Sequence, residues 1–146
     1  MAKFVFRLGS VLGIKEKVED LKKNEFGKAM MELAQARRAK AEMEQERDHN
    51  INEFRNSVSA GINPLEIHRY NLYIEKLKQM IIRQDRLIAK AEAYAEQKRA
   101  ELVEAMRDRK TLETLKENDY EEFLNEEKKA EQKVVDEIIS YRGSLN

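Results

Sequence analysis

The sequence predicts an all-α fold, an antiparallel two-helix coiled-coil hairpin whose second helix is the longer, and three observations carry that reading. Pro64 is the only proline in the chain, and it falls in Ser59-Ala60-Gly61-Ile62-Asn63-Pro64 between two long stretches rich in Ala, Glu, Lys, Arg, Gln and Leu. Apolar residues recur at alternating three- and four-residue steps through the second stretch. Charged residues make up 38% of the chain and there are only five glycines, a composition that suits long solvated helices and not a loop-rich domain. The expected organisation is a single elongated domain over residues 1–146. Helix one is expected over about 8–58, the turn over about 59–63 and helix two over about 64–142.

The turn follows from local chemistry. Gly61 can supply the left-handed residue that ends a helix, and Asn63-Pro64-Leu65-Glu66 reads as a restart. It offers an N-cap, a proline at the first helical position and a glutamate three residues after the cap. Each of these answers a backbone group that a helix end leaves unpaired.

Helix two carries the clearer period: Ile67, Tyr70, Ile74, Leu77, Ile81, Gln84, Ile88, Ala91, Ala95, Lys98, Leu102, Ala105, Arg109 and Leu112 form one seam, in which only Gln84, Lys98 and Arg109 are polar. Beyond Leu112 the seam continues through Lys116, Tyr120, Phe123, Ala130, Val134, Ile138 and Tyr141 only if two four-residue steps are taken in succession, a stutter that relaxes the supercoil without ending the helix. Helix one is less regular. Val11, Ile14 and Val18 begin a stripe that shifts near Lys22 and resumes at Phe26, Ala29, Leu33, Ala36, Lys40, Met43, Arg47, Asn50 and Phe54. Gly9 and Gly13 each cost a helix interior about 1 kcal/mol relative to alanine, so the first dozen residues need support from elsewhere to be helical, and Ser10 is an alternative cap. With a turn centred near residue 60, residues whose numbers sum to about 120 face each other. Leu8 then meets Leu112, and α-helical residues after about 116 lack a mate in the same chain.

Charge excludes several classes of function. The 28 basic and 28 acidic side chains cancel, which removes the net attraction a general nucleic-acid binder needs. No apolar run is long enough to span a membrane, so no direct membrane insertion is expected. Zero cysteines exclude disulfides and thiolate chemistry and suit a cytoplasmic location. His49 and His68 have no second histidine or cysteine at helical ligand spacing, and no glycine-rich phosphate loop is present, so neither a metal nor a cofactor is expected. Paired carboxylates such as Glu121-Glu122 and Glu126-Glu127 read as a solvated face, since nothing encloses them to shift a pKa for acid–base work. The protein is expected to act by contact with partners and not as an enzyme. Charge is also sorted: residues 1–23 hold six basic and three acidic side chains, whereas residues 113–137 hold ten acidic and four basic ones. The acidic stretch favours a basic partner.

The opening Phe4-x-Phe6-x-Leu8-x-x-Val11-Leu12-x-x-Lys15-Glu16 resembles that of the FliJ family of flagellar export proteins. The stretch from Arg99-Ala-Glu-Leu-Val to Lys116, followed by Glu131-Gln-Lys-Val-Val-Asp136-Glu137, is similar to the family's second half. Gly9 and Gly13 depart from the helix formers expected there. The resemblance implies an antiparallel coiled coil similar to the stalk of rotary ATPases. It implies a non-enzymatic component of flagellar type III export that couples a hexameric export ATPase to the cytoplasmic part of the membrane export gate and escorts export chaperones. It further implies a cytoplasmic protein held at the cytoplasmic face of the membrane through the export apparatus. By the rotor analogy, Phe4, Phe6, Leu8, Val11 and Leu12 of one arm and Val134, Asp136, Glu137, Ile138 and Tyr141 of the other are the expected contacts with the ATPase ring. A structural tether or dimer, or a stalk subunit of an ion-translocating rotary ATPase, would use the same heptads.

A second stripe stands beside the seam of helix two. Tyr73, Met80, Leu87 and Tyr94 recur every seven residues and make the helix more apolar than one mate requires. Either the stems of Arg47 and Lys40 lie over Tyr73 and Met80, or the stripe docks a partner, for which the resemblance supplies the export gate.

Overall fold

The computed structural model describes residues 2–145, and they form an antiparallel two-helix hairpin of α1 (Gly9–Ala60) and α2 (Pro64–Ser144). The turn is built as its residues dictate. Gly61 adopts a φ of 84°, a left-handed conformation in which a side chain would be strained, and its N–H donates to the Val58 carbonyl at 3.2 Å. Asn63 Oδ1 accepts from the Glu66 N–H at 2.9 Å and so caps α2.

Two compact units share these helices: a turn unit, Lys22–Leu102, and a terminal unit, Met1–Leu21 with Val103–Asn146. In the turn unit the seam of α2 is buried or half-buried at every expected position from Ile67 to Leu102. Leu77 is almost fully buried, and Ala29, Leu33 and Ala95 make a small core against which Ile88 and Ala91 pack. Near the turn, Phe54 and Tyr70 meet with ring centroids 5.6 Å apart. Gln84 is buried within the seam, and its side-chain amide donates to the Ala36 carbonyl at 2.9 Å.

The terminal unit departs from expectation in three ways. First, α1 opens at Gly9, close to the expected start near residue 8 and not at Ser10, with the N–H of Gly9 donating to the Phe6 carbonyl at 3.1 Å. Ser10 therefore lies inside the helix and is not its cap. Second, the stripe of Val11 and Ile14 does not face α2, for these residues are 41% and 59% exposed. Leu12 and Glu19 are buried instead and Lys15 is half-buried. The seam keeps its seven-residue spacing through polar residues, and an apolar count mistakes that for a shift of phase. Third, pairing continues past residue 116. The turn is centred on Ile62, which moves partners along α2 by about one helical turn. In addition, an extended segment advances about twice as far per residue as a helix, so Phe4 reaches Tyr120 and Phe123. From Lys128 onward every described residue of α2 is exposed.

Candidate partner-binding faces

The terminal unit is closed by rings and ions. Phe4 lies edge-on to Tyr120 at 5.2 Å between centroids and tilted against Phe123 at 5.5 Å. Such pairs contribute about 0.5–1.5 kcal/mol each beyond the area they bury. Phe6 and Leu12 are buried and Leu8 is half-buried. Next along the seam the Arg109 guanidinium is held between Glu19 and Glu113, bonding the first through Nε and the second through Nη1 at 2.7 Å. Its pKa is raised by the Glu113 hydrogen bond and then by that of Glu19. Glu19 is buried, with 5% of its surface exposed, and a carboxylate so placed needs the opposite charge beside it. Lys15 and Asp108 add an ion pair at 3.5 Å.

Of the residues expected to contact the ATPase ring, these internal contacts occupy Phe4, and burial takes up Phe6 and Leu12. Val11 is left on the outer face of α1. Val134, Ile138 and Tyr141 are 54%, 50% and 66% exposed, and Asp136 and Glu137 are exposed beside them. The expected set is thus divided between a closed cluster around Phe4 and an open stripe on the last turns of α2. Tyr120 and Phe123, the ring partners of Phe4, appear in the sequence only as continuations of the seam after the stutter. The signal for Glu19 was Arg109 itself, since a lone guanidinium in an apolar seam requires an acid across from it.

The second stripe belongs to the turn unit. The Tyr73 hydroxyl donates to Glu46, whose hydrogen bond raises the pKa of the phenol. Lys40 reaches Asp85 at 2.7 Å and Glu44 at 3.6 Å, and Arg47 pairs with Asp48 at 3.2 Å. Both cationic heads are thus engaged by carboxylates. Met80 is half-buried, while Leu87 and Tyr94 are 54% and 47% exposed. The Lys98 ammonium sits 5.3 Å from the Tyr94 ring centroid. That lysine also joins a cluster with Glu25, Glu101 and Lys22 at 3.2–3.4 Å. Tyr73 therefore has a polar mate, and the open part of the stripe is Leu87 and Tyr94.

Among the described residues no group of three or more His, Cys, Asp or Glu side chains is placed to hold a metal ion. No helix among them is long and apolar enough to cross a membrane. His49 is exposed and pairs with Glu53 at 3.1 Å.

The family model described as the flagellar FliJ protein matches residues 4–146. The chain belongs to the FliJ family. Membership makes it a component of flagellar type III protein export. No curated protein matches it in sequence. Among solved structures it resembles a protein described as a YscO homologue, CT670 from Chlamydia trachomatis, with a TM-score of 0.60 and 22% identity. That likeness covers 98% of this chain and 97% of the other, so the two-helix arrangement of this FliJ-family chain recurs over the whole length of that protein.

Proposed function

We propose that this protein is a stalk-like coupler of the export apparatus, working between the hexameric export ATPase and the cytoplasmic part of the export gate, and an escort for export chaperones. Membership of the FliJ family over residues 4–146 carries this reading. The division of the terminal unit refines it. Phe4, Phe6 and Leu12 hold the two arms together, and the ring is met by the side chains that remain open, namely Val11, Val134, Ile138 and Tyr141, with Asp136 and Glu137 supplying charge. Leu87 and Tyr94 with Met80 and Tyr73 form the face assigned to the gate, because they are apolar, lie in one line and are only partly used by α1.

The test separates the two faces. Val134→Ser/Ile138→Ser/Tyr141→Ser should leave the helical circular dichroism intact and reduce stimulation of the export ATPase by about tenfold or more. Leu87→Ser/Tyr94→Ser should leave that stimulation unchanged and weaken binding to the cytoplasmic part of the gate. Each exposed side chain buried at an interface contributes on the order of 1.5–3 kcal/mol, enough for losses of that size. Normal stimulation by the first variant would remove the ring assignment, and normal gate binding by the second would remove the gate assignment.

A further inference from the structure

Two features of the terminal unit have no mate among the described residues of their own chain. One is the outer face of α1, where Val11, Ile14 and Leu21 are 41–59% exposed. It is preceded by Val5, at 77% exposure, and accompanied by Lys3, Arg7 and Lys17. None of these three cations takes part in an ion pair among the described residues, whereas Lys15 and Arg109 of the same unit are paired with Asp108, Glu19 and Glu113. The other is the tail of α2 beyond Phe123, where Val134, Ile138, Tyr141 and Leu145 form a stripe 50–69% exposed; Glu126, Glu127, Glu131 and Glu137 flank this stripe with Arg142 among them, while Lys128, Lys129 and Asp136 lie toward the other side of the helix and Lys133 at its edge. The first face is apolar and basic, the second apolar and acidic.

We propose that these faces dock on each other between two copies of the chain, giving a twofold-symmetric dimer in which each tail lies along the other copy's α1. Three observations select a second copy as the occupant. The charges are complementary: Lys3, Arg7 and Lys17 on one face answer Glu126, Glu127 and Glu137 on the other. The lengths agree, since the tail from Leu124 to Ser144 rises about 30 Å while Gly9–Leu21 rises about 19 Å, leaving enough tail to cover the arm and to pass the extended residues before it. The levels agree as well. Lys15 sits opposite Asp108 and Phe4 opposite Tyr120, so the basic face runs back along α2 from the point where the tail begins. A twofold axis near the start of the tail then lays residues 131–145 of one copy alongside the helical arm of the other. Both contacts form together, which closes the assembly at two copies.

This inference does not depend on the ring assignment. Both draw on Val134 and Ile138 and describe alternative occupants of one face. One test reads molecular mass and the other ATPase stimulation, so their failures are distinguishable.

Sedimentation of the full chain should show a monomer–dimer equilibrium whose association weakens at least about tenfold between ~50 mM and ~500 mM salt, as screening shortens to a few ångströms. Lys3→Glu/Arg7→Glu/Lys17→Glu and Glu126→Lys/Glu127→Lys/Glu137→Lys should each be monomeric. An equimolar mixture of the two should recover the dimer, because in the mixed pair both contacts again join opposite charges. The natural chain has no cysteine, so Ile14→Cys and Ile138→Cys, each exposed, give a second readout that leaves the charges untouched. Mixed under mild oxidation, they should form the 14–138 cross-link in preference to either self-linked species. A chain that stays monomeric up to about 100 μM at low salt, or a charge-reversed pair that fails to recover, overturns the proposal. So does a cross-link no more frequent than the self-linked species.

Discussion

Glu19 and Arg109 show how a single polar pair can hold a seam position that an apolar residue would ordinarily fill. Glu19 is buried while Arg109 remains partly open to water, so removing the arginine takes the cation across the seam away from a buried carboxylate, whereas Glu19→Gln beside it also removes the charge that this cation answers. Arg109→Met should therefore lower the thermal midpoint more than Glu19→Gln/Arg109→Met does, a comparison that a double-mutant cycle followed by circular dichroism makes directly. The Lys22–Glu25–Lys98–Glu101 cluster adds a pH dependence. The Lys98 hydrogen bond holds the Glu101 carboxyl below the ordinary glutamate value of 4.5. A depressed folded pKa stabilises the fold above the unfolded value, and that contribution is lost as pH falls through the lowered one. Lys98, raised above 10.5 chiefly by the Glu101 hydrogen bond, behaves oppositely, its contribution being present below 10.5 and lost as pH rises through the raised value. Thermal midpoints should be level at neutral pH and drop on acidification below about 4.5, and Glu101→Gln should reduce that drop. The effect is small because the groups are open to solvent.

At the scale of the helices, α1 and α2 are limited by different things. α2 begins on a cap its own sequence supplies, Asn63 followed by Pro64, and its heptads run without interruption to Leu112. α1 begins at a glycine and carries a second one a turn later. A Cβ at Gly13 would meet no heavy atom within 4 Å, so nothing in the packing requires glycine there. Gly13→Ala should stabilise the protein by about 0.5–1 kcal/mol, read from denaturant unfolding. Asn63→Ala should cost about 0.5–2 kcal/mol through the lost cap. Destabilisation by Gly13→Ala would mean that the start of α1 works as a point of bending.

Over the whole molecule, the two units differ in what fills their seams. The turn unit holds Leu33, Leu77 and Ile81, and Ile88 and Ala91 pack against the core that Leu33 makes with Ala29 and Ala95. The terminal unit holds rings at one end and ions between. Ionic contacts at a partly solvated seam stabilise less than apolar burial, so the terminal unit should open at lower free energy. Amide hydrogen exchange tests this: protection over residues 9–21 and 103–123 should fall below that of residues 29–33 and 77–95. Phe4→Ser/Phe6→Ser should lower it further in the terminal unit alone. Equal protection throughout would show that the ion pairs stabilise as much as the leucines do.

The all-α class, the turn with its cap and glycine, the seam of α2 and the family were all legible in the residues, because each depends on local chemistry or on a short repeat. The polar stretch of α1 was not. Glu19, Lys15 and Lys22 occupy seam positions only because Arg109, Asp108 and Glu101 stand across from them, and such partners are set by a register that no apolar pattern records. The same holds for the candidate faces. Phe4 and Phe6 read as free anchors until the extended segment before Gly9 brings Phe4 onto Tyr120 and Phe123. The exposed stripe of Val134, Ile138 and Tyr141 has the same heptad spacing as the buried seam before it. Periodicity marks which side chains share a face; whether that face is covered depends on how far the other arm reaches, and here it ends with Phe4 against Phe123.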